Sequence, residues 1–177
     1  MPNMSIALKW AERLDPTRIA LLQAILGGAV LGSAYGFQYL GGLQPCALCL
    51  YQRWPWWIGI GLGLAAVLLR SNPGVQKVIV ALASLAILAG AGVAGFHVGV
   101  EQQWWPGLAS CGGVSDMPMT VEALKQQIMN APVVRCDEVA WSLMGLSMAG
   151  YNMLLSLALG LGGLVFLWRR GTDGDAA

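Results

Sequence analysis

The stretch from about Ile19 to Leu40 runs without a charged residue, which restricts the chain to folds in which a whole helix can lie in hydrocarbon. A charge at the centre of a membrane span costs about 2.5–3.5 kcal/mol, so this stretch reads as a transmembrane helix. The run exceeds the roughly 7–15 apolar residues of a cleaved signal peptide and is expected to be a retained span. Further long apolar stretches follow it. Across the 177 residues, 56% are hydrophobic and 11% charged, whereas roughly a quarter of residues carry charge in a soluble domain. A net charge of +1 offers no footprint for nucleic acid. Gly28, Gly32 and Gly36 repeat every four residues and share one helix face, which is expected to pack closely against a neighbour.

The expected fold is an all-α membrane protein, a four-transmembrane-helix bundle forming a single integral membrane domain over 1–177. Its spans are expected at about 19–40, 49–69, 78–100 and 143–168. A second span beginning at Trp56 would be only about 21 Å long against a core near 30 Å, so that helix is expected to start near Cys49. Arg53 then lies about one turn inside, within snorkelling reach of the interface. Arg70, Ser71, Asn72, Pro73 and Gly74 form a polar turn before the third span.

Charge placement orients the bundle. Lys9, Arg13, Arg18, Arg70, Lys77, Arg169 and Arg170 fall on one side, and only Arg53, Lys125 and Arg135 on the other. The positive-inside bias puts both termini in the cytoplasm, and the loops at about 41–48 and 101–142 then face outward. The second loop is expected to carry a short interfacial helix, on which Val121, Leu124 and Ile128 share one face. Trp54, Trp56, Trp57, Trp104 and Trp105 read as an aromatic belt at the outer boundary.

All four cysteines, Cys46, Cys49, Cys111 and Cys136, fall in or beside the two outward loops. In bacteria that side is oxidising, so disulfides persist there. Four cysteines permit three pairings, and spacing favours Cys46 with Cys49 and Cys111 with Cys136 without deciding the matter. In that pairing the short ring gains about 2 kcal/mol from chain entropy, against about 3.5 for the longer loop. A ring so small is a poor staple and is better suited to redox work. A helix start near Cys49 and the cation of Arg53 would both favour a thiolate at Cys49. Arg53 could also hold an acceptor's carbonyl oxygen, although snorkelling alone would explain it. His97, the only histidine, lies near the outward end of the third span, as a packed interfacial residue or as a partner of the acceptor.

No cofactor motif accompanies these residues. Leu50 follows Cys49, which excludes a c-type haem attachment, and the glycines at 59, 61 and 63 do not complete a dinucleotide fingerprint. Unequal cysteine spacings in an oxidising compartment weigh against zinc. A diffusible membrane oxidant is the simplest remaining electron sink.

The run Pro45-Cys46-Ala47-Leu48-Cys49-Leu50-Tyr51-Gln52-Arg53 resembles the signature of the disulfide bond formation protein B (DsbB) family. The resemblance extends over nearly the whole chain, through four spans, the second cysteine pair and the approach from Cys136 through Trp141 to Gly145. It implies a thiol oxidase of the bacterial inner membrane that reoxidises a DsbA-like thioredoxin-fold protein in the periplasm and reduces a quinone, ubiquinone or menaquinone. By resemblance, Cys46 and Cys49 are the quinone-coupled pair, with Cys49 facing quinone and Arg53 supporting it. Cys111 and Cys136 are the partner-coupled pair, with Cys111 receiving the partner. His97 resembles a histidine near the quinone site. Gln52 stands where some members carry an acid, which puts a proton-transfer role there in doubt. Two other readings remain open at this point, a vitamin K epoxide reductase-like enzyme and a disulfide-stapled membrane scaffold without activity.

Overall fold

A computed structural model of the chain describes residues 15–108, 111, 120–122, 125 and 134–174, with 171–174 by backbone alone. The described chain is mostly helical. Asp15 caps helix α1 (Pro16–Tyr39) by accepting the backbone N–H of Arg18 at 2.8 Å, and Pro16 opens the helix where its missing N–H is not needed. Two shorter helices follow, α2 (Ala47–Tyr51) and α3 (Arg53–Leu68). Asn72 then caps α4 (Pro73–Glu101) by accepting the N–H of Val75, so the Asn-Pro-Gly turn launches the returning helix. An antiparallel hairpin, β1 (Ser142–Leu143) with β2 (Leu146–Ser147), leads into α5 (Met148–Gly174).

Three of these helices, α1, α4 and α5 to Arg170, are long and apolar enough to cross a membrane. The fourth expected crossing is divided. Pro55 has no N–H to give the carbonyl of Tyr51, and its ring crowds that carbonyl, so the helix is interrupted at Gln52. The 16 residues of α3 span about 24 Å, short of a core of about 30 Å. The last helix also departs from expectation. Met144 and Gly145 are both left-handed, at φ 51° and 79°, and close a two-residue turn that pairs Leu143 with Leu146. No helix passes through such a turn, so α5 begins at Met148 and not at 143.

Successive helices pack side by side, α1 on α3, α3 on α4 and α4 on α5. The face of α1 that meets α3 is not the one expected. Gly28, Gly32 and Gly36 have nothing near the position of an added Cβ, while Ala20, Gln23, Ala24, Gly27 and Leu31 are buried. The close approach comes from α3 instead, where a Cβ on Gly63 would stand 2.9 Å from the carbonyl oxygen of Ala20. Backbone cannot yield there without separating the helices. Gly63→Ala is therefore expected to destabilise the bundle by about 1–3 kcal/mol and Gly32→Ala to be nearly neutral, as measured by unfolding in mixed micelles. Equal effects would show the packing face to be misassigned.

The aromatic belt also needs one correction. Trp54, Trp57, Trp104 and Trp105 are exposed, but Trp56 is 2% exposed and packs with Leu31 and Ile87 in the bundle core. Of the expected interfacial helix, Val121, Glu122 and Lys125 are helical, while Leu124 and Ile128 lie outside the described residues.

Candidate functional site

The sulfurs gather at the loop end of the bundle. Cys46, in extended backbone after Pro45, is the N-cap of α2, and its Sγ accepts the N–H of Cys49 at 3.2 Å. One turn of helix then carries the Cys49 side chain back over the cap, and the two sulfurs stand 2.7 Å apart. The advantage of a helix start therefore belongs to Cys46, and not to Cys49 as the spacing suggested. Cys46 lies before the spans, and its thiol is pulled down to about 5, first by the hydrogen bond from the Cys49 thiol. Burial opposes that shift, and His97 adds to it. One negative charge shared by the pair thus rests on Cys46.

His97 comes from the last turns of α4, 3% exposed, with Nε2 3.6 Å from Cys46 Sγ. The packed reading holds for this buried ring, which also stands beside the Cys46 sulfur. Its Nε2 also lies 3.9 Å from Glu101, whose other carboxylate oxygen accepts a hydrogen bond from the Ser147 hydroxyl. Cys46, Cys49 and His97 hold their ligating atoms within 4.8 Å of one another. Even so, tetrahedral zinc at about 2.3 Å from each sulfur needs the sulfurs about 3.7 Å apart. The observed separation suits sulfur–sulfur exchange better than chelation.

Arg53 is engaged by side chains of α1. Its guanidinium donates to Gln38 at 2.8 Å and lies over the Tyr35 ring, 4.6 Å from the centroid, so α1 holds it in place. Both Arg53 and Cys49 line a cavity of about 350 Å³, walled by Val30, Leu31, Phe37 and Leu155 among others. Its lining is mostly apolar, with Cys46, His97 and Glu101 also on its wall.

Cys111 and Cys136 form a disulfide with their Cα atoms 5.2 Å apart. Both sit in one apolar cluster with Cys46, Leu48 and Val100, against which Cys49 packs. Cys111 also lines a second cavity, of about 520 Å³, with Trp104, Trp105, Leu108, Arg135 and Asp137. At its rim Arg135 holds the Asp137 carboxyl below its ordinary range through a direct hydrogen bond. Cys136 is wholly buried, and of this pair Cys111 is the one that borders the second cavity.

Beyond Gln52, two neighbours of the site, Asn152 and Trp56, are not read from the sequence as part of it. Gln52 joins His97 at 2.7 Å, Asn152 reaches Gln52, and Trp56 reaches Asn152. Asn152 is a polar residue well inside the last apolar stretch, a signal that marks a buried partner. Trp56 carries no such signal, since a belt tryptophan has the same sequence neighbourhood.

The family model of disulfide bond formation protein DsbB matches residues 16–166. A disulfide bond formation protein B from Verminephrobacter eiseniae is 34% identical, over 93% of this chain and 92% of its own. Another, from Nitrosococcus oceani, is 28% identical over 98% of each chain. An uncharacterized protein from Rickettsia prowazekii is 30% identical over 93% of this chain and 92% of its own. No solved structure matches. A family match that runs from α1 nearly to the end of α5 and takes in all four cysteines assigns the chain to the DsbB family, as a membrane protein of disulfide bond formation.

Proposed function

We propose that the protein is a quinone-reducing thiol oxidase which reoxidises a DsbA-like thioredoxin-fold protein in the periplasm. The observation that carries this reading is the position of the four sulfurs. Two cysteine pairs share one buried cluster, with Cys49 on the wall of an apolar cavity and Cys111 on the wall of a separate one. A mere staple would need neither opening.

The chain is one membrane domain in this reading, with four crossings in the bacterial inner membrane. Together α2 and α3 cover residues 47–68, and that many residues laid out as one helix would measure about 33 Å, enough to cross. The sorting of basic residues supports cytoplasmic termini and periplasmic cysteine loops.

A thiolate of the reduced partner attacks Cys111 Sγ, breaking the bond to Cys136 and forming a mixed disulfide. The partner's second thiol resolves it, leaving the partner oxidised and Cys111 and Cys136 reduced. Exchange with an oxidised Cys46–Cys49 pair then restores the Cys111–Cys136 bond and leaves two electrons and two protons on the inner pair. Quinone, when bound, supplies the sink for them as the Cys46–Cys49 bond re-forms. Within the chain, Cys46 carries the charge, Cys49 faces the cavity, and Arg53, braced by Gln38 and Tyr35, is set to orient a carbonyl oxygen. His97 donates toward the Cys46 sulfur.

The entry step is tested with a reduced thioredoxin-fold partner lacking its resolving cysteine. A mixed disulfide is expected to accumulate, and peptide mapping is expected to find it on Cys111. A bond to Cys136 would exchange the roles within the outer pair, and a bond to Cys46 or Cys49 would reverse the assigned order of the pairs.

A further inference from the structure

Four polar side chains run in file from the bundle core to the Cys46 sulfur. Trp56 Nε1 donates to Asn152 Oδ1 at 2.7 Å, and Asn152 Nδ2 donates to Gln52 Oε1 at 2.6 Å. Gln52 Nε2 then meets His97 Nδ1 at 2.7 Å, and the opposite ring nitrogen lies 3.6 Å from Cys46 Sγ. The links come from α3, α5, the break between α2 and α3, and α4.

Such a file has a direction, and one residue sets it. Each amide accepts at one end and donates at the other, so either could be reversed if its neighbours reversed too. An indole N–H can only donate. With Trp56 facing it, Asn152 must present its oxygen there and its nitrogen to Gln52. Gln52 in turn must present its nitrogen to His97. Reversal would set the amide nitrogen of the half-buried Asn152 against the buried indole N–H, two donors facing each other, and an unsatisfied buried donor costs about 1–3 kcal/mol. Nδ1 of His97 therefore accepts, and the ring proton of neutral imidazole sits on Nε2.

We infer that Trp56, acting through Asn152 and Gln52, fixes His97 in the tautomer whose Nε2–H faces the Cys46 sulfur. Trp56, Asn152 and Gln52 are thus positioning residues, and none of them touches a sulfur through this file. Besides Gln52, the groups beside the ring are Cys46, Glu101 and the backbone of Cys136, so with Nδ1 held by Gln52 the Nε2–H can serve a Cys46 thiolate or the Glu101 carboxylate. It cannot take a proton at Nδ1 without losing Gln52. The inference deepens the proposed thiol exchange, yet the tautomer is read in the protein alone, without partner or quinone.

His97 is the only histidine, so ring nitrogen-15 labelling gives a single imidazole, provided the protein is purified without a histidine tag. In the full chain with bound lipid, Nδ1 is expected to resonate as the unprotonated nitrogen and Nε2 as the protonated one. Asn152→Asp keeps an acceptor for Trp56 but removes the donor to Gln52, which must then turn its oxygen toward His97. The Nδ1 signal is expected to move to the protonated position. Trp56→Phe keeps an aromatic ring but removes the anchor, and signals averaged over both tautomers are expected. A wild-type spectrum with the proton on Nδ1, or an Asn152→Asp spectrum identical to wild type, would overturn the inference. Should Asn152→Asp fail to fold, Gln52→Glu applies the same demand directly, since its carboxylate can only accept from Nδ1–H. An unchanged tautomer there is equally contrary. Loss of quinone turnover with the tautomer intact would count against the oxidase reading alone.

Discussion

Cys49→Ala is expected to lower partner-dependent quinone reduction by about a thousandfold or more, because the two inner sulfurs act as one unit and neither forms a disulfide with the other absent. The substitution removes one of the two sulfurs on the wall of the apolar cavity while leaving Cys46 as the cap of α2. It leaves the Cys111–Cys136 disulfide intact, so the partner can still be oxidised once per protein molecule. A single turnover of partner with no quinol is therefore the expected signature, read by following both species in one assay. Continued quinone reduction at the wild-type rate would remove Cys49 from the path of the electrons.

Ionisation of Cys46 is the second large effect. A free thiol ionises near 8.5 and is about 3% thiolate at pH 7. Cys46, accepting from the Cys49 thiol and from His97, is expected to titrate near 5 and to be almost fully ionised at pH 7. The sign follows from a lowered value, since the charge persists as pH falls and is lost only on passing through about 5. Ultraviolet thiolate absorbance of the reduced inner pair, in a protein carrying Cys111→Ser and Cys136→Ser, reads it directly. An inflection near 5 from the Cys46 sulfur is the expected profile. A single inflection near 8.5 would mean that the pair does not share a charge.

Much of the site was legible because chemistry in this chain is local in sequence. Cys46, Cys49 and Arg53 stand within eight residues, and their membership of one site follows from a single helical turn on either side. His97 was legible by its depth in the third span, where a lone titratable group stands out against an apolar background. Orientation around a helix axis was not. When a helix is apolar all round, as α1 is, hydrophobic periodicity does not say which face turns inward. The Gly28, Gly32 and Gly36 stripe and the inward turn of Trp56 both escaped for that reason. The break at Gln52 had a visible cause in Pro55, three residues later, but apolar length hid it. The hairpin before α5 was masked in the same way, since Leu143, Met144 and Leu146 look like span residues until Met144 is seen to be left-handed.

The relation between the two cysteine pairs lies beyond any local signal, because it depends on a loop returning Cys111 and Cys136 to the cluster that holds Cys46. The scaffold alternative expects redox-inert cysteines and no quinone dependence, and would have been favoured by a Cys49 remote from any pocket. Cys49 instead lines the apolar cavity.

The most direct measurement is quinone reduction by the purified full chain in detergent with bound lipid, with a reduced thioredoxin-fold partner as the sole electron donor. The expected result is one quinol formed for each partner disulfide, with no reduction when the partner is omitted. Folded protein that oxidises the partner without forming quinol, or forms quinol without the partner, would contradict the transfer of electrons from one cysteine pair to the other.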